Sequence, residues 1–224
     1  ESPPYVTEDV SFFAFDIRAK NSDRQIPMEK RYKLFDEYKI PTVKRFGKFM
    51  PSDIKDIKKH IQDLNEKGCE GLVFKPTEPS EKTVKYVTAG SCMRDIKVTS
   101  QLMPEYQAEF FTNRMLRSLF YLVEHDLPLN KGFLEKAGEA LLQPLYESVK
   151  KVAGGEMITE RFKMRFNKEE NIKKLFDHFH KCKVDASLVR QEKIGQHWHV
   201  EYIRRCFPSY EMLQKHWDGH SHFD

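Results

Sequence analysis

Six residues, Glu70-Gly71-Leu72-Val73-Phe74-Lys75, constrain this chain more than any other stretch. Three apolar residues held between a glycine and a charge at each end make a short buried strand. Before it, Ile54, Ile57, Ile61 and Leu64 recur at helical spacing, with Ser52 placed to cap that helix and Gly68 to stop it. After it, Thr83 to Thr88 reads as a second strand, and a third is expected over about 93–99.

Upstream, Val10 to Ile17 is dense in aromatic residues and predicts a buried strand, with Phe13 and Phe15 on one face and Asp16 on the other. Pro27 can open a helix because a first-turn residue needs no N–H donor, and Tyr32, Phe35 and Tyr38 mark its face. Val43 to Phe46 predicts another strand. The first hundred residues therefore read as strand, helix, strand, helix and three strands.

Beyond Pro104 the pattern turns helical. Phe110, Phe111, Arg114, Met115, Ser118, Leu119 and Leu122 trace one helix, ended by Pro128. Leu134, Ala137, Leu141 and Leu145 face inward on a second, from about Gly132 to Val152, which Pro144 should kink or break. The pair reads as a helical hairpin. From Met157 a small βαββα unit follows: Arg161 to Phe166 alternates basic and apolar, and Asn167 with Glu170 resembles a capping box. Strands are expected near 184–191 and 197–206, and a short helix from Ser209. The fold class is α+β.

Composition narrows the function. No run of apolar residues is long enough to span a membrane. Thirty-eight basic against 34 acidic residues leave a net charge of +4, which permits a polyanionic partner without requiring one. Cys69, Cys92, Cys182 and Cys206 are widely spaced and read as reduced thiols of a cytoplasmic protein.

Three groups carry candidate chemistry. Phe13 and Phe15 are either sheet core or a platform for a flat base. Glu70 is either structural or a carboxylate for a divalent metal or a ribose hydroxyl. Lys85 is either a solvated lysine or a compact charge for a phosphate. Other features have plainer readings: His197, His199, His216, His220 and His222 lack a ligand spacing shared with cysteines. Arg161, Lys163 and Arg165 form either a solvated strand face or a phosphate contact. Arg114 and Arg117 suit a subunit interface, RNA or simple helix packing.

Taken in order, these segments resemble the covalent nucleotidyltransferases, the superfamily of ATP-dependent DNA and RNA ligases and mRNA capping enzymes. Residues 12–17 are similar to their motif IIIa, 70–75 to motif IV and Val84-Lys85-Tyr86 to motif V. The detail resembles the archaeal-type ATP-dependent RNA ligases that circularise single-stranded RNA. Glu1 to Val6 looks like the segment just past that family's motif III. Ser91 to Ile96 and Phe110 to Arg117 look like the stretch leading into its dimerisation module, and Arg204 to Ser209 with Gly219 to Asp224 like its C-terminal end.

The resemblance implies that Phe15 stacks on adenine, that Glu70 serves metal and ribose, and that Lys85 faces the α-phosphate. Glu70 and Lys85 are then the catalytic candidates, and Phe15, Glu70, Lys75 and Lys85 the nucleotide-binding ones. It implies ATP with Mg2+ or Mn2+, a single-stranded RNA substrate, enzyme-AMP and RNA-adenylate intermediates, and a homodimer. It divides the chain into adenylation-domain sheet (1–100), helical dimerisation hairpin (101–153) and C-terminal α+β module (154–224). Two departures stand out. Val87 replaces the second lysine of motif V, which Lys75 or Lys82 would have to supply, and the nucleophile string Lys-x-Asp-Gly does not occur. The expectation is a C-terminal portion that cannot adenylylate itself. Alternatives are a DNA ligase or capping-enzyme relative, against which the helices at 106–152 argue, and a non-catalytic RNA-binding or dimerising module.

Overall fold

The computed structural model describes residues 12–18, 20, 26–77 and 83–220. They form a mixed α/β chain, mostly helical with two small sheets, which separates into two compact units. One comprises 12–94 and 113–129, the other 95–112 and 130–220.

In the first unit, α1 (Met28–Glu37) starts at Pro27, as expected, and buries Phe35 and Arg31 on one face. Tyr38, expected on that face, is exposed. Helix α2 (Ile54–Glu66) buries Ile61 and Leu64, and Gly68 past its end takes a φ of +66°. Its N-cap is Asp53, where Ser52 was expected, and the Asp53 carboxylate accepts from Met50 N at 2.7 Å. Strands β1 (Gly71–Phe74) and β2 (Val84–Val87) pair antiparallel, with Val73 opposite Lys85 and Leu72 opposite Tyr86.

Three expected strands do not form among the described residues. Residues 93–99 lie in helix α3 (Ala89–Thr99). Ala89, Cys92 and Ile96 are buried at helical spacing, and the Thr88 hydroxyl accepts from Ser91 N at 3.3 Å. A buried threonine that ends β2 thus also begins the next helix. The segment 12–17 makes its one backbone bridge, among the described residues, at Ala14–Thr42, and Phe12, Phe13 and Phe15 are exposed. With no neighbouring strand on its other side among the described residues, only Ala14 of its apolar residues is buried. Residues 43–46 are irregular for the same lack of partners. Helix α4 (Ala108–Glu124) closes this unit, its residues from Asn113 onward belonging here.

In the second unit a 3-10 segment (Ser100–Glu105) packs on α5 (Lys131–Ala153). Ser100 Oγ donates to Ala140 O at 2.8 Å and Ser148 Oγ to Gln101 O at 3.0 Å. The small residues Ala137 and Ala140 allow the approach. Helix α5 runs unbroken through Pro144, so of the kink or break expected there the break does not occur, while Leu134 is exposed and Leu141 and Leu145 are half-buried.

The βαββα unit forms as expected: β3 (Thr159–Phe166), α6 (Glu169–Lys181), β4 (Ala186–Ile194), β5 (His197–Arg205) and α7 (Phe207–Trp217), in strand order β3-β5-β4. The alternation of β3 places Phe162, Met164 and Phe166 opposite Tyr202, Val200 and Trp198, and these pack with Ile172, Leu175, Phe176 and Phe179 of α6. Arg161 on the opposite strand face pairs with Glu201 at 2.8 Å. Lys168, not Asn167, is the N-cap of α6; the Asn167 side chain instead meets His197 Nδ1 at 2.9 Å.

Candidate active site

The first unit assembles the predicted residues around β1 and β2. Gly71 makes this possible. Its φ of +150° suits glycine alone, and a Cβ there would stand 1.9 Å from Tyr86 O. Thr88 N donates to Glu70 O at 2.9 Å, so the ladder extends to Glu70. There the Glu70 carboxylate meets Lys85 Nζ at 2.5 Å. Both side chains are more than half exposed. Such a pair contributes no more than about 1 kcal/mol, so each partner can be exchanged for a ligand group at little cost.

Lys75 is held differently. Its ammonium lies 3.1 Å from Asp16 Oδ2, donates to Phe15 O and stands 5.1 Å from the centre of the Phe15 ring. Asp16 also accepts from Arg31 at 2.5 Å and from Ile17 N at 2.9 Å. Partial burial raises the Asp16 pKa, but hydrogen bonds from Arg31 and Lys75 outweigh it and hold the carboxyl below its ordinary value. Lys75 therefore braces the backbone under Phe15, while the exposed Phe15 ring keeps a free face. Of the two candidates for the missing second lysine, Lys75 is thus committed to Asp16, and Lys82 lies outside the described residues.

Behind β2, Tyr86 is locked. Its hydroxyl donates to Glu124 at 2.5 Å and accepts from Arg117 at 2.7 Å, and the Arg117 guanidinium, paired with Glu124, lies 4.3 Å from the Tyr86 ring centre. Burial first, then the Glu124 carboxylate, raises the Tyr86 pKa, so the phenol stays protonated. Burial lowers the pKa of neighbouring His125, with Lys58 adding to it. Arg117 is thus engaged within its own unit, as its helix-packing reading expects.

Sequence reading passed over two parts of this arrangement. Arg31 gave a signal: it lies one turn from Phe35, on the face that α1 buries. The Tyr86–Arg117–Glu124 group gave none, since 31 residues separate Tyr86 from Arg117.

Among the described residues no cluster of three or more His, Cys, Asp or Glu side chains gathers as for a metal ion. Glu70 alone suits a divalent cation held chiefly by phosphate oxygens. No helix among the described residues is long and apolar enough to cross a membrane.

Residues 98–220 match the family described as ligase Pab1020 C-terminal region, and residues 2–87 match RNA ligase. An uncharacterized protein of Methanocaldococcus jannaschii, MJ0414, is 28% identical over 190 residues, 84% of this chain and 48% of its own length. A structure titled putative ATP-dependent DNA ligase from Aquifex aeolicus superposes over 100% of this chain and 62% of its own, at 30% identity and a TM-score of 0.82. Two forms of a structure titled archaeal ATP-dependent RNA ligase share the fold at TM-scores of 0.78 and 0.83. They are 23% and 24% identical and cover 98% of this chain and 60% of their own. The chain spans about half the length of the curated relative it matches. With the Pab1020 C-terminal region over more than half of its residues and the RNA ligase region in front of it, the chain belongs to the Pab1020-type family of RNA ligases.

Proposed function

We infer that this chain works in joining the 5′-phosphate and 3′-hydroxyl ends of single-stranded RNA, circularisation included, through enzyme-AMP and RNA-adenylate. The observation that carries the reading is the exposed Glu70–Lys85 pair at one end of β1, with an exposed Phe15 held by Lys75 at the other, within the region matching RNA ligase. Phe15 offers its free face to the adenine of ATP. Lys85 leaves Glu70 to neutralise charge developing on the α-phosphate, a charge-stabilising role. Glu70, released, takes a ribose hydroxyl or, with phosphate oxygens, Mg2+ or Mn2+, which when bound would screen phosphate charge. Lys75 fixes the platform through Asp16 and the Phe15 carbonyl.

The remaining assignments extend this reading. The chain comprises adenylation-domain sheet (1–100), dimerisation helices (101–153) and a C-terminal module (154–224), works as a homodimer and resides in the cytoplasm. Exposed Leu116, Leu119, Phe120 and Val123 on α4 support the dimer, which gel filtration tests. No Lys-x-Asp-Gly occurs in the 224 residues, so the chain by itself supplies the pocket wall and not the nucleophile.

Incubating the chain with α-labelled ATP and magnesium tests this; no covalent label is expected, and a lysine–AMP adduct would sink that part. A version extended to carry a Lys-x-Asp-Gly segment is expected to label and to circularise 5′-phosphorylated RNA. A second reading, sealing of DNA, is favoured by the 30% identity to the Aquifex structure. Nicked duplex DNA supplied in parallel to the extended version separates the two.

A further inference from the structure

Next to Phe15 the chain carries a segment that the nucleotide pocket does not use. From Lys39 to Ser52 it holds four cations, Lys39, Lys44, Arg45 and Lys48, and no acidic residue. The segment is irregular yet pinned. Ala14 N donates to Pro41 O at 2.7 Å and Val43 N to Ala14 O at 3.2 Å, which fastens its start beside the exposed Phe12, Phe13 and Phe15. Phe46 and Phe49 fasten its far half, meeting the His60 ring of α2 edge-on at 5.2 and 5.6 Å.

The two cations between those anchors are presented rather than neutralised. Arg45 stacks its guanidinium 4.2 Å from the centre of the Tyr32 ring, and Lys44 stands 5.1 Å from that of Phe46. Both residues are exposed, and neither forms an ion pair among the described residues. An aromatic shelf costs an arginine little hydration and holds its plane fixed while its N–H groups stay free for an oxyanion. Lys48 differs: Glu29 takes its charge at 2.9 Å.

We propose that Phe13, Lys44 and Arg45 form a track for a single-stranded polynucleotide leading away from the Phe15 platform, Phe13 stacking a base and Lys44 and Arg45 taking successive phosphates. Exposed aromatic rings beside unpaired cations on a pinned segment are what sequence-tolerant single-strand binding requires. The proposal deepens the ligase reading by naming where the strand lies, but it stands on surface residues outside the nucleotide pocket.

The test is fluorescence anisotropy of the full chain with a labelled RNA of roughly 15 nucleotides. Both ends are hydroxyl and ATP is absent, so nothing can be joined. Wild type should bind, and K44E/R45E should weaken binding at least tenfold and flatten the salt dependence by about 1.4 log units per log unit, roughly 0.7 for each lost phosphate contact. F13A should weaken binding by roughly fivefold or more with the salt slope unchanged. If charge reversal disturbs folding, seen as a lost thermal transition, K44Q/R45Q carries the same expectation. The same losses on single-stranded DNA of that sequence support the track, which reads base faces and backbone charge. Absence of binding by wild type, wild-type binding by K44E/R45E, or equal preference for duplex RNA overturns it. Because the readout needs no catalysis, a chain that binds but belongs to no joining reaction fails only the ligase reading. A chain that does not bind leaves the chemistry of Glu70 and Lys85 standing.

Discussion

Lys75 and Asp16 meet at 3.1 Å across most of the first unit, with Arg31 on the carboxylate's other oxygen. The contact fastens the end of β1 to the segment that carries Phe15. Arg31 is only 3% exposed. In D16N that buried cation loses its counter-charge, and the expected cost is about 2–4 kcal/mol, read as a lower urea midpoint.

The same pair sets an acid dependence. Asp16 has a folded pKa below its ordinary 3.8, so the folded state releases this proton more readily than the unfolded one. The stabilisation is complete above pH 3.8 and is lost as pH falls through the lower folded value. The stability gap between wild type and D16N should therefore be constant from pH 5 to 7 and close in strong acid. A gap that stays constant to the lowest pH at which both fold would remove Asp16 from this role.

Two glycine substitutions should act in opposite directions. G71A drives a methyl into Tyr86 O, 1.9 Å away, and demands a φ that alanine avoids. A loss of at least about 2 kcal/mol is expected. G138A, inside α5 with nothing within 4 Å of the new Cβ, should stabilise by about 0.5–1 kcal/mol. Thermal melts of both variants check the contrast.

Glu70 and Lys85 are exposed, so E70Q and K85A should leave the unfolding free energy from urea melts within about 0.5 kcal/mol of wild type. In a version extended to carry the nucleophile, K85A should slow adenylylation by roughly a hundredfold or more. A K85A enzyme of undiminished rate would remove Lys85 from the chemistry.

Y86F deletes a hydroxyl that both Arg117 and Glu124 use. It should cost about 1–2 kcal/mol without changing the affinity of the chain for the RNA probe, because this group lies behind the strands and not on the Phe13–Arg45 surface.

Local signals in the sequence were dependable where the chain answers to its own neighbours. Pro27 opened α1, Gly68 followed α2, and the alternation of β3 sorted Phe162, Met164 and Phe166 from their basic neighbours. Helix and strand were confused where burial depends on distant partners. Residues 93–99 hold branched apolar residues that suit a strand, yet Ala89, Cys92 and Ile96 line up only on a helix begun by Thr88. The aromatic run at 12–15 looked like core because aromatics usually are; with a single bridge to Thr42 it stays on the surface. The order of Phe15, Glu70, Lys75 and Lys85 along the chain carries the family resemblance. That Lys75 braces and Lys85 is loosely held was not legible there, because the difference lies in Asp16 and Arg31, which no spacing links to either lysine.

The interruption of the first unit by residues 95–112 has a consequence for how the chain is made. Tyr86 leaves the ribosome 31 residues ahead of Arg117, roughly 2 to 6 s earlier at ordinary rates of synthesis. During that interval β1 and β2 can pair, but the polar lock behind them has no members. The Tyr86–Arg117–Glu124 group is completed only after the nascent chain has passed through a segment of the other unit and returned. A fragment ending at residue 100 would hold Phe15, Glu70, Lys75 and Lys85 and still lack both residues that hold Tyr86.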